Sequence, residues 1–174
     1  MRYDLVFFLE EPSAKELLKG LLPNIINPAL SVQYVIFDGK QDLDKHLGRK
    51  LRAWLPPRPR FIVLRDQDGA DCRILKRKLV EICTSSGQPD TLVRIACHEL
   101  ESWFLGDLAA VEIALNLKKL ARQQTHQKFR TPDTLANAAE ELSKITGGQY
   151  QKIAGSRDIG PHLQPDRNRS VRAF

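Results

Sequence analysis

The sequence predicts an α/β fold: a mainly parallel four-stranded sheet flanked by helices, with a helical C-terminal half packed on it. Three observations carry that expectation. Short β-forming apolar runs alternate with segments of helical period up to about residue 100. The first of those runs, Tyr3 to Leu9, is nearly continuously apolar, as strands buried on both faces of a parallel sheet are. Beyond residue 106 the helical pattern continues alone.

The elements follow in order. After the first strand, Ser13 and Glu16 have the spacing of a capping box, and Ala14, Leu17, Leu18, Leu21 and Leu22 form a helical stripe that Pro23 closes. Val32 to Phe37 is a second strand. Leu43, Leu47, Leu51 and Trp54 then recur with near-helical period until Pro56, Pro57 and Pro59 break the chain. Phe61 to Leu64 is the third strand. Asp71 is placed to cap the next helix, whose core positions are Ile74, Leu75, Leu79, Ile82 and Cys83 and whose stop is Ser85-Ser86-Gly87. Leu92 to Cys97 is the fourth strand. Strands separated by helices of this length imply right-handed crossovers. Asp107 to Leu120 and Thr131-Pro132 to Leu142 read as further helices, the second ended by Gly147-Gly148.

With 174 residues the chain can bury a sizeable core without staples. One domain is expected, divided into an α/β core over 1–106, a helical cap over 107–148 and a basic tail over 149–174. No apolar stretch approaches the ~20 residues that span a bilayer, and the start lacks the pattern of a signal peptide. Cys72, Cys83 and Cys97 show no CxxC spacing and read as reduced core residues, so a cytoplasmic protein is expected. The balance of 27 Lys and Arg against 21 Asp and Glu gives +6, which permits attraction to phosphate backbones without demanding it.

In a parallel sheet, ligand sites lie outside the carboxyl ends of the strands. Here Glu10 and Glu11 follow the first strand, Asp66, Asp68 and Asp71 the third, and His98, Glu99 and Glu101 the fourth. Carboxylates about 4 Å apart repel by roughly 4 kcal/mol at an effective dielectric near 20, so such a gathering needs solvent, donors or a cation. Hard carboxylate oxygens suit Mg²⁺ or Mn²⁺. Asp66 and Asp68, two residues apart in an extended backbone, form the natural metal pair. Asp71 is either a ligand or only a helix cap. Glu99 and Glu101 would point ~200° apart on a helix, so both reach the site only if one still belongs to the strand exit.

The stretches LEEPSAKELL, VLRDQDGADC, RIACHELESWFLGDLAAVE and NRSVRAF resemble the bacterial domain-of-unknown-function family 4276, over nearly the whole chain. A glutamate after strand one and a DxD after strand three also resemble the Toprim fold, shared by topoisomerases, primases and overcoming-lysogenization-defect nucleases. That resemblance implies a Toprim-like (Rossmann-like) fold. It matches Glu10 to the first-strand glutamate, Asp66 and Asp68 to the DxD acids, and Glu99 or Glu101 to the extra acid of nuclease-type members. Glu11 stands where many such proteins have glycine.

The combined expectation is a Mg²⁺- or Mn²⁺-dependent nuclease-like phosphoesterase acting on DNA or RNA. Catalysis would rest on Glu10, Asp66, Asp68 and Glu99, with Asp71 and Glu101 as further ligands and water as the nucleophile. Lys15, Arg65 and Arg73 flank the acids, and Arg167, Arg169 and Arg172 in the tail are expected to fold back and hold a phosphate backbone. The resemblance also implies a partner ATPase and a role in defence against phage. The alternative is a noncatalytic interaction module whose acids bind a structural metal or pair with Arg65, Arg73 and Arg157.

Overall fold

The computed structural model describes residues 3–170. Its four strands are β1 (Leu5–Leu9), β2 (Val32–Ile36), β3 (Arg60–Asp66) and β4 (Leu92–Ala96). They form one parallel sheet in the order β2-β1-β3-β4. The helices of the first half are α1 (Pro12–Leu21), α2 (Gly39–Arg52) and α3 (Cys72–Ser85). Those of the second are α4 (Glu101–Leu105), α5 (Leu108–Ala114), α6 (Gln127–Arg130), α7 (Ala138–Ile145) and α8 (Lys152–Ile159).

Each face of the sheet has its own core, because successive strand residues point to opposite sides. Val6, Phe8, Phe61 and Val63 pack with Leu43, Leu47 and Leu51 of α2 and Leu75 and Leu79 of α3. Phe7, Leu9 and Leu64 pack instead with Leu17 and Leu21 of α1, Phe104 of α4, Leu142 of α7 and Ile159 of α8. This two-sided burial is why β1 reads as continuously apolar. The register sets Leu9 level with Leu64, and Asp66 level with Ala96, so the residues after β1, β3 and β4 emerge at a common edge. Cys83 is a buried free thiol and Cys72 a half-buried one. Among the described residues no helix is long and apolar enough to cross a membrane.

Three local readings need correction. The capping box is not made: Pro12 occupies the first turn of α1, Glu11 becomes the N-cap, and Glu16 turns to Arg157 of α8 (2.9 Å). Ile74, read as a core position, is 64% exposed; the buried line of α3 runs through Leu75, Leu79 and Cys83. The helix read over Asp107 to Leu120 ends as α5 at Ala114, and Asn116 and Lys119 with φ of 50° and 65° turn the chain away. Short 3-10 turns and α6 then lead to α7.

The stretch read as a basic tail contains α8, which lies on α1. A Cβ on Gly160 would come within 2.6 Å of the Leu17 carbonyl oxygen, so glycine permits that close approach. The chain beyond α8 is strapped down: Arg167 Nε and Nη2 donate to the buried Asp107 carboxylate (2.7 and 2.9 Å), and Asn168 Nδ2 donates to the Trp103 carbonyl (2.8 Å).

Candidate functional site

At the edge where the strands end, three exits meet. After β1 the Glu10 carboxylate accepts the backbone N–H of Asp66 (Oε2, 3.2 Å), which ties the first exit to the third. Glu11, extended at the N-cap of α1, accepts the Ser13 hydroxyl (2.5 Å) and lies 2.6 Å from the Lys152 ammonium of α8. Asp66 ends β3. Beyond it the third and fourth exits are laced together: Gln67 N–H donates to the Ala96 carbonyl (2.9 Å) and Asp68 N–H to the His98 carbonyl (2.8 Å). Asp68 and His98 both sit in the left-handed region, with φ of 52° and 56°. Such strain persists only where the surroundings hold it, and it concentrates at functional sites.

After β4 the chain enters α4 at Glu101, which is 1% exposed. Its Oε1 accepts the Tyr150 hydroxyl (2.9 Å), while Oε2 is buried with no hydrogen-bond partner among the described residues. Tyr150 reaches it because Gly155 leaves room for the ring: a Cβ there would stand 2.4 Å from Tyr150 Cδ2.

The electrostatics follow from this crowding. Burial, then the charges of Glu11, Glu10 and Glu101, lift the Asp66 carboxyl well above the usual range, opposed by the Leu100 N–H. Glu10 is raised chiefly by burial, with Asp68 adding to the effect and the Asp66 N–H and Arg65 working against it. Glu101 is also raised by burial, against the Tyr150 hydroxyl and Lys152. Lys152 is raised despite burial, because Glu11, Glu101 and Asp66 favour its charged form. Burial and Glu101 hold Tyr150 protonated, far above its ordinary range.

Strand alternation divides the surroundings. Asp66 belongs to the side of α1, α4 and α8, whereas Arg65 points to the α2 side and is 7% exposed. Its Nε is 3.8 Å from Glu10 Oε2 and its Nη1 3.6 Å from Asp44 Oδ1. These are ion-pair separations beyond hydrogen-bond length.

A family model described as a domain of unknown function (DUF4276) matches residues 9–174. The chain belongs to that family. Among solved structures it is similar to the C-terminal region of the Burkholderia pseudomallei OLD protein, with a TM-score of 0.56 and 15% identity over 96% of this chain and 94% of that one. At that identity the likeness is one of fold, and it agrees with the Toprim-like α/β sheet. No curated protein matches the sequence significantly.

In this DUF4276 chain, then, Glu10, Asp66 and Glu101 share one electrostatic neighbourhood, and Asp68 borders it through Glu10. Asp68 Oδ2 is paired with Lys40 of α2 (3.0 Å). Asp71 accepts the N–H groups of Arg73 and Ile74 as the cap of α3. Glu99 turns the other way and accepts the Ala139 N–H at the start of α7 (2.7 Å). Lys15 lies half-buried on α1, Arg73 is exposed at the start of α3, and Arg65 is buried. Arg167 is engaged by Asp107, Arg169 is exposed, and Arg172 lies outside the described residues. Sequence reasoning gave no site role to Tyr150, Lys152 or Lys40. The signal for the first two was slight: a tyrosine and a lysine just after a double glycine, in a segment read as a tail.

Among the described residues no group of three or more His, Cys, Asp or Glu side chains is placed to hold a metal ion. The donor chemistry nonetheless fits a hard divalent cation. Glu101 Oε2 is buried without a partner, and Asp66 is surrounded by three like charges with one ammonium to offset them.

Proposed function

We propose that this protein is a divalent-cation-dependent, nuclease-like phosphoesterase acting on nucleic acid. The observation that supports it most is Asp66: a carboxylate pressed by Glu10, Glu11 and Glu101 at the ligand-binding edge of a parallel sheet. Glu10, Asp66 and Glu101 would hold Mg²⁺ or Mn²⁺, with Glu11 and Asp68 beside them. When bound, the ion would neutralise phosphodiester oxygens and favour departure of the leaving oxygen.

The chain's own groups have distinct parts. Glu10, tied to the Asp66 N–H at the exit of β1, is alternatively the base that takes the proton of the attacking water. Lys152, fixed by Glu11 and kept charged, stabilises negative charge on the phosphoryl group. Tyr150 retains its proton and orients Glu101 through its hydrogen bond. It is therefore a positioning residue, and the nucleophile is water.

A partner ATPase and a setting in phage defence belong to this proposal through the family resemblance. The internal pairs Glu11 with Lys152, Asp68 with Lys40 and Glu10 with Arg65 favour the second reading, a noncatalytic module that needs no ion. Incubation with plasmid, single-stranded DNA and RNA in Mg²⁺, Mn²⁺ or EDTA separates the two. Metal-dependent cleavage lost in Asp66→Ala supports the enzyme; inactivity on every substrate and metal, with the ATPase partner present, supports the module.

A further inference from the structure

We infer that the cleft between α2 and α3 is a phosphate-backbone track that carries the flank of a nucleic acid to the acidic edge. The inference deepens the proposed function and rests on it for the identity of the substrate. Its starting point is the distribution of charge. α2 and α3 together hold nine Lys and Arg against three Asp and Glu, a surplus of six that equals the net charge of the entire chain. The remaining eighteen basic and eighteen acidic residues balance.

These bases are placed for an external partner. Lys45, Arg49, Arg52, Arg73, Lys76 and Arg77 are exposed, and none of them makes a salt bridge among the described residues. Between the two helices runs a cleft of about 400 Å³ lined by Lys45, Arg49, Arg52 and Lys78, with Asp44 and Glu81 as its acids. From Lys40 to Arg52 the helix advances ~18 Å at ~1.5 Å per residue. At ~3.4 Å per strand step that length spans ~5 phosphates of a duplex.

The cleft also joins the acidic edge through continuous charge. Lys78 Nζ meets Asp44 Oδ2 (2.8 Å), the other oxygen of Asp44 faces buried Arg65 (3.6 Å), and Arg65 faces Glu10 (3.8 Å). Lys40, at the upper end of α2, pairs with Asp68 on the rim. A backbone following the cleft therefore arrives at the carboxylates proposed to hold the ion.

An acidic protein is the less favoured occupant, because protein interfaces are anchored by a buried apolar centre. Ile82 is the large apolar residue lining this cleft. The exposed Ile74 and Val80 of α3 lie ~120° apart around the helix and form no shared patch. Arg167, held by Asp107, is unsuited to the same task.

The test is fluorescence anisotropy in EDTA, where no cleavage occurs, with a labelled duplex and a labelled single strand of about 20 nucleotides over a salt series. The variant Lys45→Gln/Arg49→Gln/Arg52→Gln is compared with Lys118→Gln/Arg122→Gln/Lys144→Gln, which removes the same charge from exposed positions elsewhere. Loss of three phosphate contacts should weaken binding at least tenfold and lower the log–log salt slope by about 3 for the cleft variant, with little change in slope for the control. Melting curves verify that both variants fold. Equal slopes for the two variants would overturn the inference, as would displacement of the duplex by polyglutamate as readily as by unlabelled duplex. If the cleft variant loses binding while the wild type cleaves nothing in any metal, the track stands and the phosphoesterase reading falls. If cleavage persists with an unchanged salt slope, the track falls and the catalytic site stands.

Discussion

Replacing Asp66 by Asn should make the metal-free protein more stable at neutral pH. The reason is the folded-state field at this side chain: burial and three neighbouring carboxylates oppose its ionisation. A group whose folded pKa is raised contributes stability that is fully present below its unfolded value and is lost as pH rises through the folded value. Asp66, Glu10 and Glu101 all shift in that direction, so their contribution declines from about pH 4 upward. A like charge ~6 Å away costs roughly 3 kcal/mol at an effective dielectric near 20. Lys152 and the Leu100 N–H offset much of it, and Asn can still accept the latter bond. A net gain of about 1–2 kcal/mol is expected, or about 3–6 °C in Tm for a chain of this size. Thermal melts in EDTA between pH 4 and pH 8 should show the variant's advantage growing with pH. Millimolar Mg²⁺ or Mn²⁺ should raise the wild-type Tm more than the variant's. A variant less stable than wild type at pH 8, or an advantage independent of pH, would refute the reasoning.

Three further outcomes follow from the same structure. Tyr150→Phe leaves both oxygens of the buried Glu101 carboxylate without a hydrogen-bond donor; a loss of about 1–3 kcal/mol is expected in denaturant titrations, and it should shrink at acid pH, where Glu101 is protonated. Gly155→Ala drives a methyl into the Tyr150 ring and should cost about 1–3 kcal/mol, read as a lower melting temperature together with reduced cleavage. Arg167→Ala removes the ion pair of the buried Asp107, which keeps the N–H groups of Ala110 and Gln164, and should destabilise by about 1–3 kcal/mol, while the salt slope for nucleic-acid binding stays that of the wild type; a reduced slope would place Arg167 on the phosphate track after all.

What the sequence by itself determined is the sheet and the set of acids that leave it. Apolar runs such as LVFFL and FIVL encode strands buried on both faces, and their separation by helical stripes encodes parallel crossovers. Once that is granted, Glu10, Asp66, Asp68 and the pair Glu99 and Glu101 must emerge at one edge. Tertiary structure alone decided which of them converge. Glu99 and Glu101 are two residues apart and equally acidic, yet the turn into α4 sends Glu101 towards Asp66 and Glu99 to the N-terminus of α7, 40 positions along the chain. Tyr150 and Lys152 enter only because α8 packs on α1 across more than 100 residues of sequence. No local period marks such contacts, since they depend on where a distant helix finds an apolar surface to cover.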